Sequence, residues 1–214
     1  SGLPEALADV AAECRRLAAQ ASAERPGEAG VRVRLAGPTN TGKSSLANAL
    51  AGREVALTSA EPSFTRDRLS FPLDVEGVRV VVEDAPGADA AADALGRAAA
   101  QKSLRELDAA AVVCLVLDMS APCSRADLAP FACLAGRPVV AACNKADLLG
   151  AEDRESRLAN LAAALRNAAG IDPLAAVATS AHTGAGLSRL KQALAGAVVG
   201  ELALAPGGRV SARE

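Results

Sequence analysis

Tryptophan and tyrosine are absent, and the aromatic content is three phenylalanines, Phe64, Phe71 and Phe131. That scarcity argues against a protein that stacks single-stranded bases on aromatic platforms. There is no excess of positive charge either. Twenty-three Lys and Arg stand against 25 Asp and Glu, for a net charge of −2, which speaks against a broad nucleic-acid-binding surface. Long apolar runs are missing: the longest, residues 109–117, is far too short to span a bilayer, so no membrane role is expected. No signal peptide is visible. The five cysteines (Cys14, Cys114, Cys123, Cys133 and Cys143) are odd in number and contain no C-x-x-C. They read as small buried hydrophobes, and reduced thiols fit a cytoplasmic location.

What remains is a chain of 214 residues, half of them apolar and 22% charged, which is the balance of a folded globular protein. With so few aromatics the core must be built from Ala, Leu and Val. Ser1-Gly2 in place of Met reads as the scar of a removed tag. Residues 3–21 carry Leu3, Leu7, Val10, Cys14 and Leu17 at helical spacing. Residues 23–30, with Pro26 and Gly27, read as a linker. From Val31 the pattern alternates. Strands are expected at 31–36, 69–75, 78–83, 110–117, 139–143 and 175–179, with a hairpin at Glu76-Gly77. Helices are expected at 44–51, 98–107, 126–134, 152–168 and 187–199. This order implies an α/β fold: a mostly parallel six-stranded sheet with one antiparallel edge strand and helices on both faces. The domain layout is then 1–30 as an N-terminal helix and linker, 31–200 as the main domain, and 201–214 as a loose tail.

Four motifs carry chemistry. Gly37-Pro-Thr-Asn-Thr-Gly42-Lys43-Ser44 matches G-x-x-x-x-G-K-[ST] between an expected strand and an expected helix. Such a loop cradles phosphates on its N–H groups, with Lys43 on the β- and γ-phosphates and the Ser44 hydroxyl on Mg²⁺. Asp84-Ala-Pro-Gly87 is a D-x-x-G directly after a strand. Asp84 would hold Mg²⁺ through water, and the Gly87 N–H would meet the γ-phosphate. Asn144-Lys145-Ala-Asp147 follows the 139–143 strand. A carboxylate at Asp147 accepts from guanine N1–H and its exocyclic amine, a donor pair that adenine lacks. Asn144 would brace the loop and contact the base, which the Lys145 stem would cover. Thr179-Ser180-Ala181 follows the last strand and would offer the Ala181 N–H to guanine O6. His182 beyond it reads as an exposed loop histidine.

These residues resemble the P-loop GTPases of the TrmE–Era group, and within it the G domain of the tRNA-modification GTPases of MnmE (TrmE) type. The resemblance covers residues 31–199. Asn40-Thr41-Gly42-Lys43-Ser44-Ser45-Leu-Ala-Asn-Ala-Leu-Ala-Gly-Arg53-Glu54 is similar to that family's N-x-G-K-S-S-L-x-N-x-L-x-G-R-E. Thr65-Arg66-Asp67 resembles the end of its switch I motif G-T-T-R-D, and Ser180-Ala-His-Thr-Gly184-Ala-Gly186-Leu187 its S-A-x-T-G-x-G-x. The resemblance implies a Ras-like fold, GTP and GDP as ligands, Mg²⁺ on Ser44, Thr65 and Asp84, and a catalytic part for Lys43 and Thr65. It further implies a K⁺ site at Asn40, a G-domain homodimer and a partner protein in tRNA wobble-uridine modification. The N-terminal helix and the last residues, Val210 to Glu214, would be the cut ends of a flanking helical domain.

Three departures stand out. Ser63-Phe64 replaces the family's G-T, and Asp84-Ala-Pro-Gly87 replaces D-T-A-G, so that Pro86 removes a backbone donor. An ungapped count places Gly96 where the family carries its water-positioning glutamate, whereas a gapped one nominates Asp93. Slow GTP hydrolysis is the leading expectation. A non-catalytic GTP/GDP switch and a GTPase of ribosome assembly remain as alternatives. Asn144 to Asp147 argues against a P-loop kinase or ATPase.

Overall fold

The computed structural model describes residues 31–58, 70–75, 77–84 and 110–204. Six strands form one sheet: β1 (Val31–Ala36), β2 (Ser70–Val75), β3 (Val78–Asp84), β4 (Val112–Asp118), β5 (Val139–Asn144) and β6 (Ala175–Ala178). Among the described residues four α-helices accompany them: α1 (Lys43–Thr58), α2 (Arg125–Leu128), α3 (Ala151–Ala169) and α4 (Leu187–Leu204). The spatial order is β2-β3-β1-β4-β5-β6, and every pairing is parallel except β2 with β3. The expected architecture is therefore present.

Burial follows from the strand sequences. β2 alternates, with Phe71, Leu73 and Val75 buried and Ser70, Pro72 and Asp74 exposed. Pro72 has no N–H to give a second neighbour, which suits an edge strand. β4 and β5 are apolar runs because the sheet is covered on both faces there. On one face Val33, Leu35, Val80 and Val116 pack with Leu46 and Leu50 of α1 and Leu190 and Leu194 of α4. On the other, Leu115, Leu117 and Cys143 pack with Leu161 and Leu165 of α3 and with Leu128, Phe131 and Leu134.

Several expectations change. The helix foreseen at 126–134 is a single α-turn, capped by Ser124 and Asp127, that tightens into a 3₁₀ segment over Ala129–Leu134. Pro130, which lacks the N–H that an α-helix would need, sits at its start. α1 is interrupted at Gly52 (φ 64, ψ 176), one residue past the foreseen end, before helical turns resume. α4 runs on to Leu204, past the expected end at Val199. Cys114 and Cys143 are buried as foreseen, but Cys123 is only partly buried and Cys133 is exposed. The readings of 3–21, 23–30, Cys14, Phe64, Glu76, 98–107 and 205–214 fall outside the described residues. Among the described residues no helix is long and apolar enough to cross a membrane.

Candidate functional site

β1 lies between β3 and β4, so the chain builds to one side of β1 and then returns to the other. In open α/β sheets ligands bind beyond the carboxyl ends of the strands at such a reversal. The first loop to leave that edge is 37–42. Gly37 (φ 148) rests so close to β4 that a Cβ would meet the Val116 carbonyl oxygen at 2.2 Å. Asn40 adopts the left-handed conformation (φ 58), and the buried Thr41 hydroxyl donates to the Pro38 carbonyl at 3.0 Å. α1 then starts, with the Leu46 N–H bonded to the Gly42 carbonyl at 2.8 Å. Its first turn holds no acidic residue, so the positive end of the helix dipole is not offset from within that turn. The Lys43 ammonium donates to the carbonyls of Pro38 (2.8 Å) and Gly37 (3.1 Å), which sets its charge against the loop. Ser44 and Ser45 are exposed on the same turn.

The end of β5 is joined to this loop by one side chain. Asn144 is 2% exposed; its amide Nδ2 donates to the Thr41 carbonyl and its Oδ1 accepts from the Ala181 N–H, both at 3.0 Å. Gly42 leaves room for that bridge, since a Cβ there would lie 2.5 Å from Asn144 Nδ2. Asn144 thus bridges the two loops, and the Ala181 N–H, expected to face a base, donates to Asn144. Lys145 takes the left-handed conformation (φ 64) and reaches Asp118 Oδ2 at 2.6 Å. Asp118 also accepts from the Ser120 N–H (2.8 Å) and hydroxyl (2.6 Å). Burial pushes the Asp118 carboxyl up, yet the bonds from Lys145 and Ser120 outweigh it and hold the group below the usual carboxylate range. Asp147 is also held low, chiefly by a hydrogen bond from the Ser180 hydroxyl. Ser180 is fully buried, and its Oγ accepts from the Thr183 N–H at 3.0 Å, which fixes the hydroxyl's direction. His182 is exposed, as foreseen.

Three of the four motifs therefore meet through Asn144, which brings together Thr41, Gly42, Lys43, Ser44, Lys145, Asp147, Ser180 and Ala181. Asp84 ends β3 beside Leu35 of β1, and its side chain is outside the described residues. So are Ser63, Thr65, Arg66, Asp67, Pro86, Gly87, Asp93 and Gly96. Sequence reasoning missed Asp118 and Ser120. The available signal was a lone acid closing an otherwise apolar strand, and in the sheet it is the rung partner of Asn144.

Comparison with known proteins places this geometry. A family described as "50S ribosome-binding GTPase" matches residues 32–145. The tRNA modification GTPase MnmE of Thermus thermophilus is 36% identical over 195 residues, 91% of this chain but 39% of that protein. The chain thus spans about two fifths of the length of that relative. Among solved structures, a GTP-binding protein of Sulfolobus solfataricus in complex with GDP superposes with TM-score 0.64 at 19% identity, over 79% of this chain and 53% of that one. That likeness shows the fold alone, which is the P-loop GTPase fold. The cytosolic domain of the T. maritima FeoB iron transporter in its GMPPNP form is 27% identical, with TM-score 0.55, over 78% of this chain and 63% of that one.

Proposed function

The chain belongs to the family of 50S ribosome-binding GTPases, and on that premise we propose that residues 31–200 bind guanine nucleotide and hydrolyse GTP. The observation that supports this most is the double bridge of Asn144, which holds a phosphate-type loop and a base-reading loop at one sheet edge. In this reading the N–H groups of Asn40 to Ser45 and the N-terminus of α1 face the phosphates. Lys43 leaves its loop carbonyls for the phosphate oxygens. Asp147, kept ionised by Ser180, accepts the two donors of guanine, and the Ala181 N–H is shared with the base.

Phosphoryl transfer asks a protein for positioning and charge neutralisation more than for covalent chemistry. Water attacks the γ-phosphorus as the bond to the β–γ bridging oxygen breaks, giving GDP and phosphate. The residues that would hold Mg²⁺ are Ser44 through its hydroxyl and, from the sequence motifs and the resemblance, Asp84 and Thr65, all of them hard oxygen donors. They fit a cation that takes few protein ligands and completes its shell with phosphate and water. When bound, Mg²⁺ would neutralise charge on the phosphate oxygens.

Four finer assignments belong to the same proposal and rest on the resemblance: K⁺ at Asn40, a G-domain homodimer, a tRNA-modification partner, and residues 1–30 and 201–214 as flanking pieces. Gly96, which an ungapped count sets at the position of the family's glutamate, supports slow turnover and favours a GTP/GDP switch as the second reading, whereas a gapped count gives that position to Asp93. Phosphate release from GTP, measured in K⁺ and in Na⁺, tests the proposal. We expect slow release that K⁺ accelerates. Equal rates in the two salts would contradict the K⁺ assignment, and no release in either would leave the switch.

A further inference from the structure

A fully covered parallel strand is expected to be apolar on both sides, and Arg34 in β1 breaks that rule at 6% exposure. Its rung partner across the parallel ladder is Glu83 of β3. The guanidinium grips one carboxylate oxygen with two nitrogens, Nη2 at 2.6 Å and Nε at 3.2 Å from Oε2. Arg32, two residues earlier and largely exposed, stands 3.9 Å from the other oxygen. With Arg34 buried and Glu83 only half-buried, stability is a weak ground for the pair. A buried ion pair is commonly no better than a well-packed apolar pair, because desolvation offsets the attraction. The best attested use of such a pair is fixing register.

Its position gives that use a target. Arg34 and Glu83 form the last rung but one; the final rung is Leu35 with Asp84. Two residues after Leu35 the phosphate-type loop begins at Gly37, and Asp84 directly follows Glu83. One charged rung therefore ties together the two strand ends that present the loop and the D-x-x-G aspartate. We propose that Arg34 and Glu83 are positioning residues for the metal–phosphate site, locking β1 and β3 so that Asp84 stands at a fixed distance from the loop. The inference rests on the guanine-nucleotide reading above. It assigns neither residue to the chemistry itself.

The test is the gain in affinity for a non-hydrolysable GTP analogue when Mg²⁺ replaces EDTA, measured by calorimetry alongside urea unfolding. The double variant Arg34→Leu with Glu83→Leu is expected to be as stable as the original protein. Its Mg²⁺ gain should fall about tenfold, the lower end of what residues that orient metal ligands contribute to metal affinity, while Mg²⁺-free affinity stays within about threefold. Arg34→Lys keeps the charge but not the fork, and should lose part of the same gain with little loss of stability. It carries the test should the double variant fail to fold. An undiminished Mg²⁺ gain in folded variants would overturn the proposal, because a merely structural pair would act on stability alone. If the original protein bound the analogue in neither condition, the nucleotide reading would fall and take this proposal with it.

Discussion

At the scale of single residues the account turns on how Asp147 is held. The Ser180 hydroxyl keeps its carboxyl below the ordinary carboxylate range, and guanine needs that carboxylate ionised to accept two hydrogen bonds. A depressed pKa means that binding persists as pH falls and is lost only when pH passes through the folded value. Ser180→Ala removes the largest stabiliser of the ionised form, so the acid edge of GDP binding should move to higher pH. Titration of GDP affinity against pH for both proteins checks this; an unmoved edge would show that Ser180 does not set the protonation of Asp147. Lys145 is held instead by an ion pair, its ammonium 2.6 Å from Asp118. Neither partnership was legible beforehand. The motif placed Lys145 and Asp147 near a base, but which hydroxyl or acid steadies each depends on loops that meet only in the folded sheet.

Between elements, the decisive contact is Asn144, which ends β5 and touches both the loop after β1 and the loop after β6. Asn144→Ala would strand the Thr41 carbonyl and the Ala181 N–H. At about 1–3 kcal/mol for each of these two groups left unpaired, the loss should be about 2–6 kcal/mol in urea unfolding, towards the lower end because Ala181 is only half-buried, together with weakened nucleotide binding. A variant as stable as the original would mean that water or backbone shifts satisfy both groups. Apolar runs made β4 and β5 readable from sequence, because strands covered on both faces have little freedom in composition. The 3₁₀ segment after α2 was misread as α-helix because the apolar spacing of Leu128, Phe131 and Leu134 suits either helix, and Pro130 decides between them. Arg34 and Glu83 were invisible as a pair, being 49 residues apart and joined only by strand order.

Over the whole molecule the core is a sheet packed on both faces, and its thiols report on it. Burial pushes the Cys114 and Cys143 thiols up to about 12, so neither offers thiolate at neutral pH. Among the four described cysteines, alkylation of the native protein should label Cys133 first and Cys123 more slowly, leaving Cys114 and Cys143 silent until urea unfolds the sheet and releases both together. Early labelling of either would show that the sheet opens locally. The fold was legible because strand and helix periods alternate along the chain, and the phosphate-type loop because its spacing is rigid. The most direct measurement of the central claim is the affinity for GDP against ADP with Mg²⁺, repeated on Asp147→Asn. A site built for two donors should prefer GDP by about 10⁴-fold. In the variant that preference should collapse and pass to xanthosine diphosphate, whose exocyclic oxygen accepts from the new amide. Comparable affinity for ADP and GDP in the original protein would contradict the account.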